Sequence, residues 1–327
     1  MLKVRTAGKL GYCFGVSQAI EKAITFADVR GPLLSLGTLA HNETVVEHLR
    51  EHNVEPIVPS VSITAMASVK RALATGPMAS AIAITAHGAP PADYDTLKEL
   101  GCKVLDCTCP IVRKAQAVVS QQMDGFDVVI FGDPDHQEVI GLNGWAGGAK
   151  FVGTLNSLFT EQQDVKPLKL GKRVGVISQT TQIPANFAEF VTALAYHNLG
   201  TWTELRVINT ICPIVAGRVS KTRKLSREVD VMLVVGSLES ANTANLAAVA
   251  RPGAGADSVF IIQKADQVID TMGRWWADGD WERRGSAELR IDSEQAVFTV
   301  GITAGTSTPI ETVNEAVAQV KEMANVR

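Results

Sequence analysis

The chain has 327 residues, 46% of them apolar and 20% charged, with a formal net charge of −3. It is too long for one small core, and two or three domains of a soluble globular protein are expected. The near-neutral balance argues against a nucleic-acid or anionic-membrane surface. No apolar run approaches the ~18 residues of a membrane-spanning helix, and MLKVRTAGKL carries no secretory signal pattern. Five cysteines form no disulfide scaffold, so a cytoplasmic protein with reduced thiols is expected.

In chain order, helical patterns alternate with short apolar, β-branched runs. Helices are expected over 16–26, 45–52, 112–123, 185–197, 219–229 and 310–323. Strands are expected at 33–36, 81–85, 127–131, 174–177, 230–235 and 298–302. Continuous apolar strands between helices point to parallel sheets covered on both faces. The fold class is therefore α/β, built as three similar units: 1–109, 110–211 and 212–327. The third is longer, with a tryptophan-rich insertion (Trp275, Trp276, Trp281) that reads as an inserted surface segment. The basic run from Arg218 to Arg227 reads as a solvated helix face.

The division into thirds comes from a repeat. Cys13, Cys109 and Cys212 lie 96 and 103 residues apart. After each, an apolar run leads to a glycine (Gly37, Gly132, Gly236), with a polar residue four positions on: His41, His136 and Ser240. A second apolar run in each third leads to a second polar residue, read here as His87, Thr180 and Ser307. Ligands of open α/β sheets bind beyond the carboxyl ends of strands, so these residues are expected around one cavity on a pseudo-threefold axis. Thiolates are the usual ligands of iron–sulfur clusters, and a three-cysteine site leaves one iron open to substrate. Cys107 neighbours Cys109, but Cys109-Pro-Ile-Val matches Cys212-Pro-Ile-Val and favours Cys109. His136-Gln-Glu138 places an imidazole and a carboxylate in one short segment, a pair able to deliver protons. The same His-x-Glu in a zinc deaminase requires a Cys-x-x-Cys, and none occurs. His41, His87, Thr180, Ser240, Asn242 and Ser307 are donors suited to a diphosphate.

Gly11-Tyr-Cys-Phe-Gly-Val16, Ala40-His-Asn42, Ala86-His-Gly88, Thr108-Cys-Pro110, His136-Gln-Glu-Val139, Gln179-Thr-Thr181, Gly236–Asn242 and Thr303-Ala-Gly-Thr-Ser307 together resemble the 4-hydroxy-3-methylbut-2-enyl diphosphate reductase (IspH or LytB) family. The resemblance spans almost the whole chain. It implies a trefoil of three α/β units around a central [4Fe–4S] cluster held by Cys13, Cys109 and Cys212. It further implies diphosphate binding by His41, His87, Ser240, Asn242 and Ser307, and substrate contact from His136. Glu138 would supply protons, with Thr180 positioning the substrate hydroxyl. The implied reaction is reductive dehydroxylation to isopentenyl and dimethylallyl diphosphate in isoprenoid biosynthesis, with ferredoxin or flavodoxin as electron donor. Gln18, the Pro213–Arg218 segment and Ala241 depart from the family's usual pattern. They leave open a paralogue acting on another allylic or phosphorylated substrate. A redox sensor with no enzymatic activity is the alternative of another class.

Overall fold

The computed structural model describes residues 2–57, 67–71, 81–159, 168–277 and 298–325. The side chains of Trp275 and Trp276, and Trp281 itself, lie outside the described residues. Among the described residues no helix is long and apolar enough to cross a membrane.

Twelve described strands form three four-stranded sheets, and every strand pairing is parallel. The first sheet orders β3 (Val54–Ile57), β2 (Leu33–Leu36), β4 (Ala81–Ile84) and β5 (Lys103–Asp106). The second orders β7 (Phe151–Gly153), β6 (Asp127–Phe131), β8 (Arg173–Ser178) and β9 (Glu204–Val207). The third orders β1 (Leu2–Thr6), β12 (Phe298–Ala304), β10 (Val231–Val235) and β11 (Val259–Ile262). The N-terminal strand β1 thus lies in the sheet built by the last third of the chain, paired along its length with β12.

The expectation of parallel α/β sheets in triplicate holds, and all six expected strands are present. They are the central pair of each sheet: β2 and β4, β6 and β8, β10 and β12. Burial on both faces explains their continuous apolar sequences; β2, β4 and β10 are buried at every residue. Leu36, Ile82 and Ile84 anchor one core, Val128, Ile130 and Ile177 a second, and Leu233, Val300 and Ile302 a third.

The described helices include α1 (Phe14–Arg30), α2 (Glu43–Glu51), α3 (Pro91–Glu99), α4 (Pro110–Ala117), α5 (Gln137–Trp145), α6 (Pro184–Asn198), α7 (Pro213–Ser226), α8 (Ala241–Ala254), α9 (Gln267–Ala277) and α10 (Ile310–Asn325). Helices α3, α4, α6 and α7 each begin on proline, whose missing N–H costs nothing in the first turn. The helix expected over 219–229 therefore begins earlier, at Pro213, and stops at Ser226.

Chain contacts divide the protein into two compact units: residues 1–13, 41–43 and 213–327 in one, and 14–40 and 44–212 in the other. The larger unit holds the first two sheets. They are joined where the Trp145 indole donates to the Ala89 carbonyl at 3.0 Å, and where Gly144 packs so closely on Pro90 that a Cβ would collide with it.

Candidate active site

Sheet register puts the repeat on a structural footing. Leu36 pairs with Ile84, Phe131 with Ser178, and Val235 with Ala304, so these three pairs are equivalent. One residue past the first member comes Gly37, Gly132 or Gly236, whose N–H donates to Ile57, Gly153 or Ile262. His41, His136 and Ser240 follow at the same spacing. Two residues past the second member come Ala86, Thr180 and Thr306. Each of their carbonyls accepts the N–H of a cysteine: Cys109 at 3.0 Å, Cys212 at 2.9 Å and Cys13 at 3.0 Å. The three cysteines are thus held alike.

The same register corrects one equivalence. Turn bonds run from Gly88 to Thr85, Gln182 to Gln179, and Thr308 to Gly305. Thr181, not Thr180, therefore stands in the place of His87 and Ser307. Thr180 corresponds to Ala86 and Thr306. Two adjacent threonines gave the sequence no means to choose between these registers.

In the larger unit, His136 caps α5 and Glu138 is its second residue. The His136 Nδ1 accepts the Glu138 N–H at 3.1 Å, so in the neutral ring the proton sits on Nε2. The ring of His87 meets His136 edge-on, with centroids 5.3 Å apart. Glu138 is 1% exposed. Its Oε1 accepts the Thr180 N–H at 2.6 Å and its Oε2 accepts the Thr180 hydroxyl at 2.8 Å. Burial pushes the carboxyl up to about 7, and the two Thr180 bonds oppose that rise. The same Thr180 accepts the Cys212 N–H, so one residue links a cysteine to a carboxyl poised to exchange protons near neutrality.

None of the five cysteines is in a disulfide. Cys107 is buried, and burial pushes its thiol up to about 12. Cys109 is half-buried and occupies the N-cap position of α4, without a side-chain cap bond, where the helix dipole favours negative charge. A Cβ on Gly15 would collide with the Cys109 sulfur, so only glycine lets α1 pass this close. A thiol outside any disulfide at a helix start, with glycine leaving space around its sulfur, fits a cluster ligand.

In the smaller unit, Ser240 caps α8 and accepts the Thr243 N–H at 3.4 Å. Asn242, 3% exposed, has no hydrogen-bond partner among the described residues at either its Oδ1 or its Nδ2. Buried amides are normally paired, so this one, in the first turn of a helix, is suited to a ligand with acceptor oxygens. The Ser307 hydroxyl donates to the His41 carbonyl at 3.4 Å. Burial lowers the His41 imidazole below its ordinary value, with the Glu239 carboxylate partly opposing.

Several contributors went unread in the sequence. Ala86 and Thr306 act through backbone carbonyls, for which side-chain identity is no guide. Gly15 had a signal, a glycine two residues after Cys13, but its use is a tertiary close approach.

Fold and site define a class: a repeated parallel α/β protein that holds three cysteines identically at strand ends, with a buried acid behind one of them. The family profile described as LytB protein matches residues 4–321, and the chain belongs to that family. The 4-hydroxy-3-methylbut-2-enyl diphosphate reductase of Dehalococcoides mccartyi is 33% identical over 315 residues, 96% of this chain and 96% of its own. That of Pelobacter propionicus is 31% identical over 323 residues, 98% of this chain and 99% of its own. A solved structure of (E)-4-hydroxy-3-methyl-but-2-enyl diphosphate reductase, the terminal enzyme of the non-mevalonate pathway, matches with TM-score 0.60 at 28% identity. The match covers 98% of this chain and 100% of that one. The E-1-hydroxy-2-methyl-but-2-enyl-4-diphosphate reductase of Plasmodium falciparum shares the fold, with TM-score 0.74 at 21% identity over 97% of this chain and 87% of its own.

Proposed function

We propose that this protein reduces (E)-4-hydroxy-3-methylbut-2-enyl diphosphate to isopentenyl and dimethylallyl diphosphate. The reaction consumes two electrons and two protons, breaks the terminal C–O bond, forms a C–H bond and releases water. The observation that carries the reading is the chain Cys212–Thr180–Glu138, in which a thiol residue and a proton donor share one threonine. Cys13, Cys109 and Cys212 would hold a [4Fe–4S] cluster, which when bound would supply electrons one at a time. Those electrons would come from a ferredoxin or flavodoxin.

The chain's own residues do the rest. Asn242, Ser240 and Ser307 bind the diphosphate through side chains at or near helix starts, joined by His41 and His87. His136, protonated on Nε2 when neutral, is a donor toward the substrate. The Thr180 hydroxyl positions the leaving hydroxyl. Glu138 delivers the proton that turns that hydroxyl into water, and its carboxyl titrates near neutrality because burial disfavours the anion. A redox sensor has no need of such an acid.

The test is an anaerobic assay. Reconstituted protein with reduced methyl viologen and the hydroxylated diphosphate should yield both five-carbon products. A reconstituted cluster that neither oxidises nor changes its spectrum on addition of substrate would overturn the reading.

A further inference from the structure

We infer that Arg218 is a positioning residue that clamps the loop bearing Cys13 to the turn bearing Ser307. Arg218 lies in the second turn of α7 and is only 7% exposed. Its Nη1 donates to the Ala304 carbonyl at 2.9 Å and its Nη2 to the Gly11 carbonyl at 3.0 Å. Ala304 is the last residue of β12, three before Ser307, and Gly11 is two before Cys13. The Cys13 N–H closes the circuit on the Thr306 carbonyl at 3.0 Å. Three hydrogen bonds and two short backbone stretches thus close one ring through Arg218, Gly11, Cys13, Thr306 and Ala304.

Arginine suits the post because its planar fork can span two carbonyls at once. Lysine offers a compact point charge and cannot match both. A buried guanidinium is retained at a desolvation cost, so its two charge-assisted bonds are constraints of consequence. Gly11 has φ +94°, and a Cβ there would come within 3.1 Å of the Ile310 Cβ. Packing of α7 on β12 does not depend on Arg218. One turn on, the Thr222 and Thr303 hydroxyls meet at 2.8 Å and join helix to strand independently. What Arg218 adds is the third member, the Cys13 loop.

The functional meaning of the clamp rests on the reading of Cys13 and Ser307 given above; the clamp itself does not. The test measures hydrogen exchange of the Cys13 amide in the apoprotein, comparing wild type with Arg218→Met, Arg218→Lys and Thr222→Val. Losing a charged hydrogen bond should open the loop, and exchange should rise on the order of tenfold in Arg218→Met. Arg218→Lys should fall between, and Thr222→Val should match wild type. In reconstituted enzyme, Arg218→Met should raise KM for the diphosphate on the order of tenfold, with a smaller change in kcat. Arg218→Lys should partly restore KM. Unchanged Cys13 protection in both Arg218 variants, or equal loss in Thr222→Val, overturns the clamp. If Arg218→Met does not fold, Arg218→Lys alone decides by the same criterion. Faster Cys13 exchange alongside a wild type that cannot reduce the diphosphate supports the clamp and overturns only the functional reading.

Discussion

Glu138 and Asn242 occupy the same place in the repeat and meet opposite conditions. Each is six residues past a strand-end glycine and second in its helix, after a capping His136 or Ser240. Each is almost completely buried. Both oxygens of Glu138 are satisfied by Thr180, whereas neither polar atom of Asn242 has a partner among the described residues. The third copy, Glu43, stays exposed and pairs with Lys264 at 3.7 Å. One template thus yields a buried acid with both oxygens bonded, a buried amide without a partner among the described residues, and an ordinary surface charge. A satisfied buried group belongs to the apoprotein's own structure. An orphaned one costs about 1–3 kcal/mol and is suited to a ligand that relieves it.

The sharpest way to break this contrast is Glu138→Gln. It keeps size and an acceptor for the Thr180 N–H but cannot give up a proton. Turnover should fall by roughly 10²–10⁴-fold while cluster content and substrate Kd hold. Turnover within about threefold of wild type would end the proton-donor assignment. The same variant tests the pH linkage. The folded Glu138 carboxyl is raised from 4.5 to about 7, so the folded state holds its proton longer than the unfolded state. Stability linked to this group is therefore full below about 4.5 and is lost as pH rises to about 7, by on the order of 3 kcal/mol. Thermal unfolding of the apoprotein from pH 4 to 8 should show the decline, and Glu138→Gln should flatten it. Parallel wild-type and variant curves would refute the raised carboxyl.

Asn242 makes the opposite prediction. Asn242→Ala removes orphaned polar atoms, so the apoprotein's Tm should change far less than for loss of a paired buried amide. KM for the diphosphate should rise by about 10- to 100-fold, the worth of a hydrogen bond to a charged group. A Tm loss without a KM change would make Asn242 structural.

How far this was legible in sequence follows the same logic of environment. The six central strands announced themselves because burial on both faces demands unbroken apolar runs such as Val-Met-Leu-Val-Val in β10. The six edge strands did not. Val-Glu-Pro-Ile, Lys-Val-Leu-Asp and Glu-Leu-Arg-Val face solvent in part and carry charge, and Phe-Val-Gly is three residues long. Helix α5 was missed because two glycines dilute its pattern, and α8 because alanines and an internal proline do the same. The glycine-to-polar spacing was readable, since a strand end and a helix cap leave no freedom in count. The Thr180–Thr181 ambiguity needed the turn's hydrogen bonds. Arg218 looked like one more member of a basic run until its burial was visible.

The finest probe concerns the bonds that oppose burial at Glu138. Thr180→Val keeps shape and the N–H to Oε1 but removes the hydroxyl from Oε2. That hydroxyl stabilises the carboxylate, so its loss should move Glu138 further up, by about one unit or ~1.4 kcal/mol. The penalty falls on the charged form alone. Apoprotein Tm should therefore drop more at pH 8 than at pH 4, and the decline seen in wild type should extend to higher pH. An equal drop at both ends would mean that Thr180 contributes packing rather than charge stabilisation. In that case Thr180 would lose its claim as the residue that tunes the acid, and only its carbonyl, holding the Cys212 amide, would remain as its part in the site.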